Sequence, residues 1–184
     1  LIARQWPVAG IIGENGGFYF RYHDREMKRH FVFDEAERLK NQKKLDVIRE
    51  EVLRDVPGCA VASDQFSRLM DLAIDFCEDV KPLPESAVKK IVQIFEKHGA
   101  IAKVSSIHVN GWFGKYDKLT MCKEFVHREF GIQLESPSDL KAFQESSCFV
   151  GDSPNDEPMF GYFDNSVGVR NIETFASQLK SPPK

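Results

Sequence analysis

Residues 149–160 read Phe-Val-Gly-Asp-Ser-Pro-Asn-Asp-Glu-Pro-Met-Phe. The apolar run from Cys148 to Val150 halts at Gly151, and two carboxylates follow at Asp152 and Asp156. That order predicts a buried strand ending in a loop, which is where open α/β sheets bind their ligands. With Ser153 and Asn155 between them, the two acids gather oxygen donors suited to a hard cation such as Mg2+. Asp, Ser, Pro and Asn are also ordinary turn residues, so this spacing alone is equally compatible with a surface turn.

The longer string separates the two readings. Gly151-Asp152-Ser153-x-Asn155-Asp156-x-x-Met159, followed by Ser166-Val167-Gly168-Val169-x-Asn171, resembles the fourth motif of the haloacid dehalogenase superfamily. It is most similar to the phosphatases of that family with a large inserted cap, class II subtype B. The resemblance implies an α/β fold, a Rossmann-like parallel-sheet core with an inserted α+β cap. It also implies a Mg2+-dependent hydrolase of a small phosphorylated metabolite, for instance a sugar phosphate. By the same resemblance Asp152 is the direct metal ligand, Asp156 is a second acid in contact with the ion or one layer behind it, and Asn155 lies near the phosphate. Asn171 matches an asparagine that faces the phosphate, and Arg170 departs from the small residue usual beside it.

The family's nucleophile is an aspartate in an Asp-x-Asp-Gly-Thr type motif, and no Asp-x-Asp occurs in the 184 residues. Its second motif, a Ser or Thr after the next strand, also lacks a counterpart. Leu1 to Trp6 reads as the end of a helix, and Pro7 to Gly17 is similar to the strand and Glu-Asn-Gly turn that follow the second motif. The expectation is therefore a core in two pieces, residues 1–17 and 113–184, around a cap at 18–112. An N-terminal segment outside these residues is expected to carry the nucleophile, without which they bind metal but do not complete the reaction. A catalytically inactive module for phosphorylated ligands and an interaction domain remain as alternative readings.

Composition bounds the remaining classes. With 42% apolar and 29% charged residues the chain can bury a core and stay dissolved, as expected of a cytoplasmic domain. A net charge of −3 gives no basic footprint for nucleic acid. No apolar run approaches the roughly 18–20 residues of a membrane helix, and no signal-peptide pattern opens the chain. Cys59, Cys77, Cys122 and Cys148 show no Cys-x-x-Cys and are expected as buried free thiols. The five histidines show no ligand spacing, which disfavours zinc.

Hydrophobic rhythm sets the organisation. Phe18 to Tyr22 and Lys28 to Phe33 predict a hairpin, and Asp34 caps a helix whose buried face is Leu45, Ile48, Val52 and Val56. Strands are expected at Cys59 to Ser63 and Leu69 to Phe76. A second helix opens at Pro84, buries Ala87, Val88, Ile91, Val92 and Phe95, and closes at Gly99. Ala100 to Val104 and Ile107 to Val109 complete an antiparallel sheet with helices on one face. Gly16-Gly17 and Gly111 to Gly114 are expected to be hinges. The tail from Lys180 to Lys184 is expected to be disordered.

Asp117 caps a further helix with Leu119, Cys122, Val126 and Phe130 as its buried positions. Lys118 then sits in the first turn, at the positive end of the macrodipole, where a cation is tolerated beside an anion. The position matches the family's third motif, a lysine that bridges the phosphate and the nucleophile; Lys115 is the competing candidate. Ser106, His108 and Asn110 alternate with Ile107 and Val109, giving one polar strand face. By the resemblance, that face makes His108, Asn110 and Trp112 candidate substrate contacts; an ordinary solvated sheet face is the other reading.

Overall fold

The computed structural model describes residues 2–184, apart from the side chains of Phe175 and Gln178. Leu1, placed by the sequence in a helix end, lies outside the described residues. In chain order, a short helix α1 (Ile2–Gln5) precedes β1 (Ile11–Gly13) and the hairpin β2 (Phe18–His23) and β3 (Glu26–Phe31). Then come α2 (Glu35–Asp55), β4 (Ala60–Val61), β5 (Asp71–Asp75), α3 (Glu85–Lys97), β6 (Ile101–Val104) and β7 (His108–Trp112). The chain closes with α4 (Lys118–Phe130), α5 (Pro137–Ser146), β8 (Phe149–Gly151), α6 (Glu157–Tyr162) and β9 (Ser166–Gly168). These elements form two compact units, one made of the chain up to Phe31 and from Tyr116 onward, the other of Val32–Lys115.

The first boundary falls after the hairpin instead of at residue 18, because β2 and β3 extend the antiparallel sheet begun by β1. Tyr19 Oη and Arg21 Nη1 on β2 and Lys28 Nζ on β3 all donate to the carboxylate of Glu129 on α4, at 2.9, 3.2 and 3.3 Å. The hairpin turns through Asp24 and Arg25, both at positive φ (50° and 66°). That geometry matches strand twist but strains a residue with a Cβ. On α4 the buried positions are Met121 and Val126, while Leu119 and Cys122 are half-buried. Phe130, expected inside, is 49% exposed, and the Arg21 guanidinium lies 4.8 Å from its ring centroid.

β8 and β9 pair in parallel, with Val150 opposite Val167. Phe149 packs edge-on to Phe160 of α6 on one side of the pair. Val150 is 58% exposed and Val167 50%, so the strand expected to be buried is covered on one face only. The tail is not the free end expected. The backbone N–H groups of Lys180 and Ser181 donate to Glu157 Oε1, and that of Lys184 donates to Ser166 Oγ.

The second unit carries a four-stranded antiparallel sheet in the order β4-β5-β7-β6. One helical face of α2 supplies Leu45, Ile48 and Val52, with Val56 just beyond it. Ile91, Ile94 and Phe95 of α3 join them against Leu72, Ile74 and Val109 of the sheet. Ile48, Ile74, Ile91, Phe95 and Val109 are fully buried, each worth roughly 1.5–3 kcal/mol of transfer free energy. Asp34 caps α2 by accepting the Glu37 N–H at 2.8 Å, as its sequence predicts. Ala87, Val88 and Val92 are only partly buried at the edge of this core.

Of the glycines expected as hinges, Gly114 (φ +113°) lies beside the junction between the units, which falls after Lys115. Gly111 lies inside β7, and a Cβ there would come 2.1 Å from Cε1 of the buried Phe95 ring, so packing requires glycine. Gly16 and Gly17 have the first unit on both sides. The cysteines are free, yet Cys59, Cys77 and Cys122 are only half-buried and Cys148 is exposed. Among the described residues no helix is long and apolar enough to cross a membrane.

Candidate functional site

Asp156 is the organising group of the first unit's loop after β8. It is 4% exposed, and both carboxylate oxygens are engaged. Oδ1 accepts the Lys118 ammonium at 2.6 Å. Oδ2 accepts the backbone N–H groups of Asp152 at 3.0 Å and Ser153 at 3.4 Å. Gly151 makes room for this, since a Cβ there would stand 2.9 Å from Asp156 Oδ2 and 2.8 Å from the Phe160 ring. Pro154 and the Ser153 cap start the short 3-10 turn Pro154–Asp156, which bends the Asp156 carboxylate back under the loop.

Asp152 is held more loosely and faces outward by comparison. Its Oδ1 accepts Ser153 Oγ at 3.3 Å and its Oδ2 accepts Asn171 Nδ2 at 3.1 Å. Ser153 Oγ also reaches Asn155 Oδ1 at 2.5 Å, and Asn155 Nδ2 donates to Asn15 Oδ1 at 3.4 Å. Thus Lys118, Asp152, Asn155, Asp156 and Asn171 belong to one hydrogen-bonded cluster. A carboxylate with spare lone pairs (Asp152) next to an ammonium and two amide side chains is equipped for a cation and an anion together. Asp156, with both oxygens accepting N–H groups, is placed to position Lys118 and the loop.

Asn15 is the member that sequence reasoning missed. It sits in the Glu14-Asn15-Gly16 turn, where φ is +46°, +56° and +96°. Two successive non-glycine residues in the left-handed region are costly and cluster at ligand sites, a signal that only coordinates disclose. A Cβ on Gly16 would lie 2.1 Å from the Asp117 carbonyl oxygen, so the turn presses on the start of α4. Asp117 caps that helix by accepting Thr120 N–H at 2.7 Å. This fixes where Lys118 begins. Lys115 is exposed and makes no hydrogen bond or ion pair with the described residues; Arg170 is likewise exposed and unengaged among them.

His108 and Asn110 lie on β7 in the second unit and are not part of this cluster. Both are buried at 7% exposure, unlike a solvated sheet face. Arg68 reaches Asn110 Oδ1 at 3.4 Å and is held by Asp64 and Asp71 at 2.9 and 3.1 Å. His108 Nε2 stands 2.9 Å from Glu78 Oε2. Asp75, directly across from His108, is 1% exposed. Burial pushes its carboxyl upward, but N–H bonds from Glu78, Asp79 and Cys77 and the nearby His108 outweigh this and hold it below the ordinary aspartate value.

No family model matches the chain, and no curated protein matches it closely. Solved structures do. A Thermoplasma acidophilum protein shares 17% identity at a TM-score of 0.61, over 94% of this chain and 66% of its own. The sucrose-phosphatase of Synechocystis, solved with sucrose and phosphate, shares 13% at 0.55, over 89% and 62%. A sugar phosphatase of HAD subclass IIB shares 12% at 0.57, over 94% and 69%. This chain thus spans less than two thirds of the length of the first two. At these identities the likeness is one of fold: the chain shares an α/β architecture with these structures.

Proposed function

We propose that these residues form the metal- and phosphate-binding part of a Mg2+-dependent phosphatase acting on a small phosphorylated metabolite. The Lys118–Asp156 pair beside the outward Asp152 carboxylate carries this reading. The named neighbours favour a sugar phosphate as the substrate class. Asp152 would hold the ion, whose chemistry is to neutralise charge on a transferring phosphoryl oxygen. Lys118 directs a second positive charge at the same oxygens, with Asp156 fixing its ammonium. Asn155 and Asn171 offer amide donors to the remaining phosphate oxygens. The aspartate nucleophile comes from outside these residues in this reading, since no Asp-x-Asp occurs among them.

The absence of an Asp-x-Asp also favours a second reading, a module that binds phosphorylated ligands without hydrolysing them. Both share the ion site. It is tested by titrating Mg2+, then inorganic phosphate, into 15N-labelled protein. Shifts should cluster at Gly151 to Asp156 and Asn171 and vanish in Asp152→Asn. Shifts that survive that substitution unchanged would overturn the assignment.

A further inference from the structure

We propose that Asp75, Glu78 and His108 bind a first-row divalent ion of the Zn2+ type, independently of the phosphatase reading. All three belong to the unit Val32–Lys115. β5 and β7 run antiparallel with Asp75 opposite His108, so carboxylate and imidazole leave the same sheet face. Glu78 follows in the turn that Asp75 itself ties down. Asp75 Oδ1 accepts the N–H groups of Cys77 and Glu78 at 2.9 and 2.8 Å, and Oδ2 accepts that of Asp79 at 2.8 Å. One donor atom from each of Asp75, Glu78 and His108 lies within 4.8 Å of the others.

His108 points to the ligand. Its side chain is only 9% exposed, and the buried Nε2 makes no hydrogen bond although Glu78 Oε2 is 2.9 Å away. A hydrogen bond needs the N–H in line with its acceptor, and weakens steeply when it is not. Two donors each about 2.1 Å from one tetrahedral ion stand about 3.4 Å apart. The Nε2–Oε2 separation of 2.9 Å therefore opens by about half an ångström when both groups hold one ion, a shift within reach of the exposed Glu78 side chain. Imidazole favours Zn2+ and its neighbours, whereas Mg2+ prefers an all-oxygen shell, so the mixed set discriminates between the two ions. The backbone hydrogen bonds on Asp75 supply the outer-shell support that metal-binding carboxylates need. Glu78, with 43% of its side chain exposed, leaves a route for the ion and for water ligands.

The test is a Zn2+ titration of the full chain against a chromophoric chelator, in millimolar Mg2+. Wild type and Asp152→Asn should each take up one Zn2+ with equal affinity. Glu78→Gln and His108→Ala should bind about tenfold more weakly or worse, the lower bound expected when a metal site loses a contact. Glu78→Gln changes an exposed side chain, and its circular dichroism spectrum should match wild type, which separates lost binding from lost folding. Unchanged affinity in Glu78→Gln, uptake abolished by Asp152→Asn, or no uptake at micromolar Zn2+ would each overturn the site. His108 and Glu78 would then be an ion pair only.

Discussion

Replacing Asp156 by asparagine removes one charge and keeps the side chain's shape. The wild-type carboxylate accepts Lys118 Nζ on one oxygen and the Asp152 and Ser153 N–H groups on the other. An amide has a single oxygen, so its NH2 must oppose either the ammonium or the backbone donors. Breaking a fully buried pair costs roughly 3–5 kcal/mol. Asp156 has 5% of its side chain exposed but Lys118 has 34%, so the lysine can turn partly to water. Solvent screening of that partner lowers the expected loss to about 2 kcal/mol. Urea denaturation of Asp156→Asn, Lys118→Met and the double variant measures it, with a coupling of at least about 1 kcal/mol expected for side chains in contact. Single losses that simply add would refute the pairing, as would a loss below about 0.5 kcal/mol in Asp156→Asn.

Arg25→Gly should stabilise the first unit by about 1 kcal/mol, because the hairpin turn holds Arg25 at φ +66°; a destabilised variant in thermal unfolding would contradict that. Gly111→Ala should cost about 1–3 kcal/mol by driving a methyl into the Phe95 ring, and a loss under half a kcal/mol would argue against packing as the reason for glycine. Burial, with the hydrogen bond to Glu129 and its charge, pushes the Tyr19 phenol from its ordinary 10.0 up to about 12. The unfolded chain loses that proton first, so this stabilisation is complete below about pH 10 and lost as pH rises through about 12, on the order of 2 kcal/mol in all. Tyr19→Phe should flatten the fall in stability between those limits, and an unaltered alkaline profile would contradict the assignment.

Local pattern foretold what local chemistry decides. The caps at Asp34 and Asp117, the core stripe of α2 and the grouping of Asp152 with Asp156 all follow from residues a few positions apart. What the sequence hid depends on register and on neighbours distant in the chain. Gly111 reads as a hinge until Phe95 of α3 is set against it. The hairpin at Phe18 to Phe31 reads as part of the middle segment until Glu129, about a hundred residues on, receives three of its side chains. His108 shows no ligand spacing because antiparallel pairing, not sequence proximity, brings Asp75 opposite it. Asp156 is grouped with Asp152 by sequence, but its contact with Lys118, distant in the chain, shows only in its hydrogen bonds.

Release of phosphate from a sugar phosphate, measured on these residues joined to a segment bearing an Asp-x-Asp nucleophile, tests the proposed function most directly. Hydrolysis should require Mg2+. It should fall by about 100-fold or more in Lys118→Ala, the scale of one preorganised electrostatic contact. It should fall at least as far in Asp152→Asn, while Lys115→Ala stays near wild type. Turnover that persists in excess chelator, or that stays near wild type in Asp152→Asn at saturating Mg2+, would contradict the account.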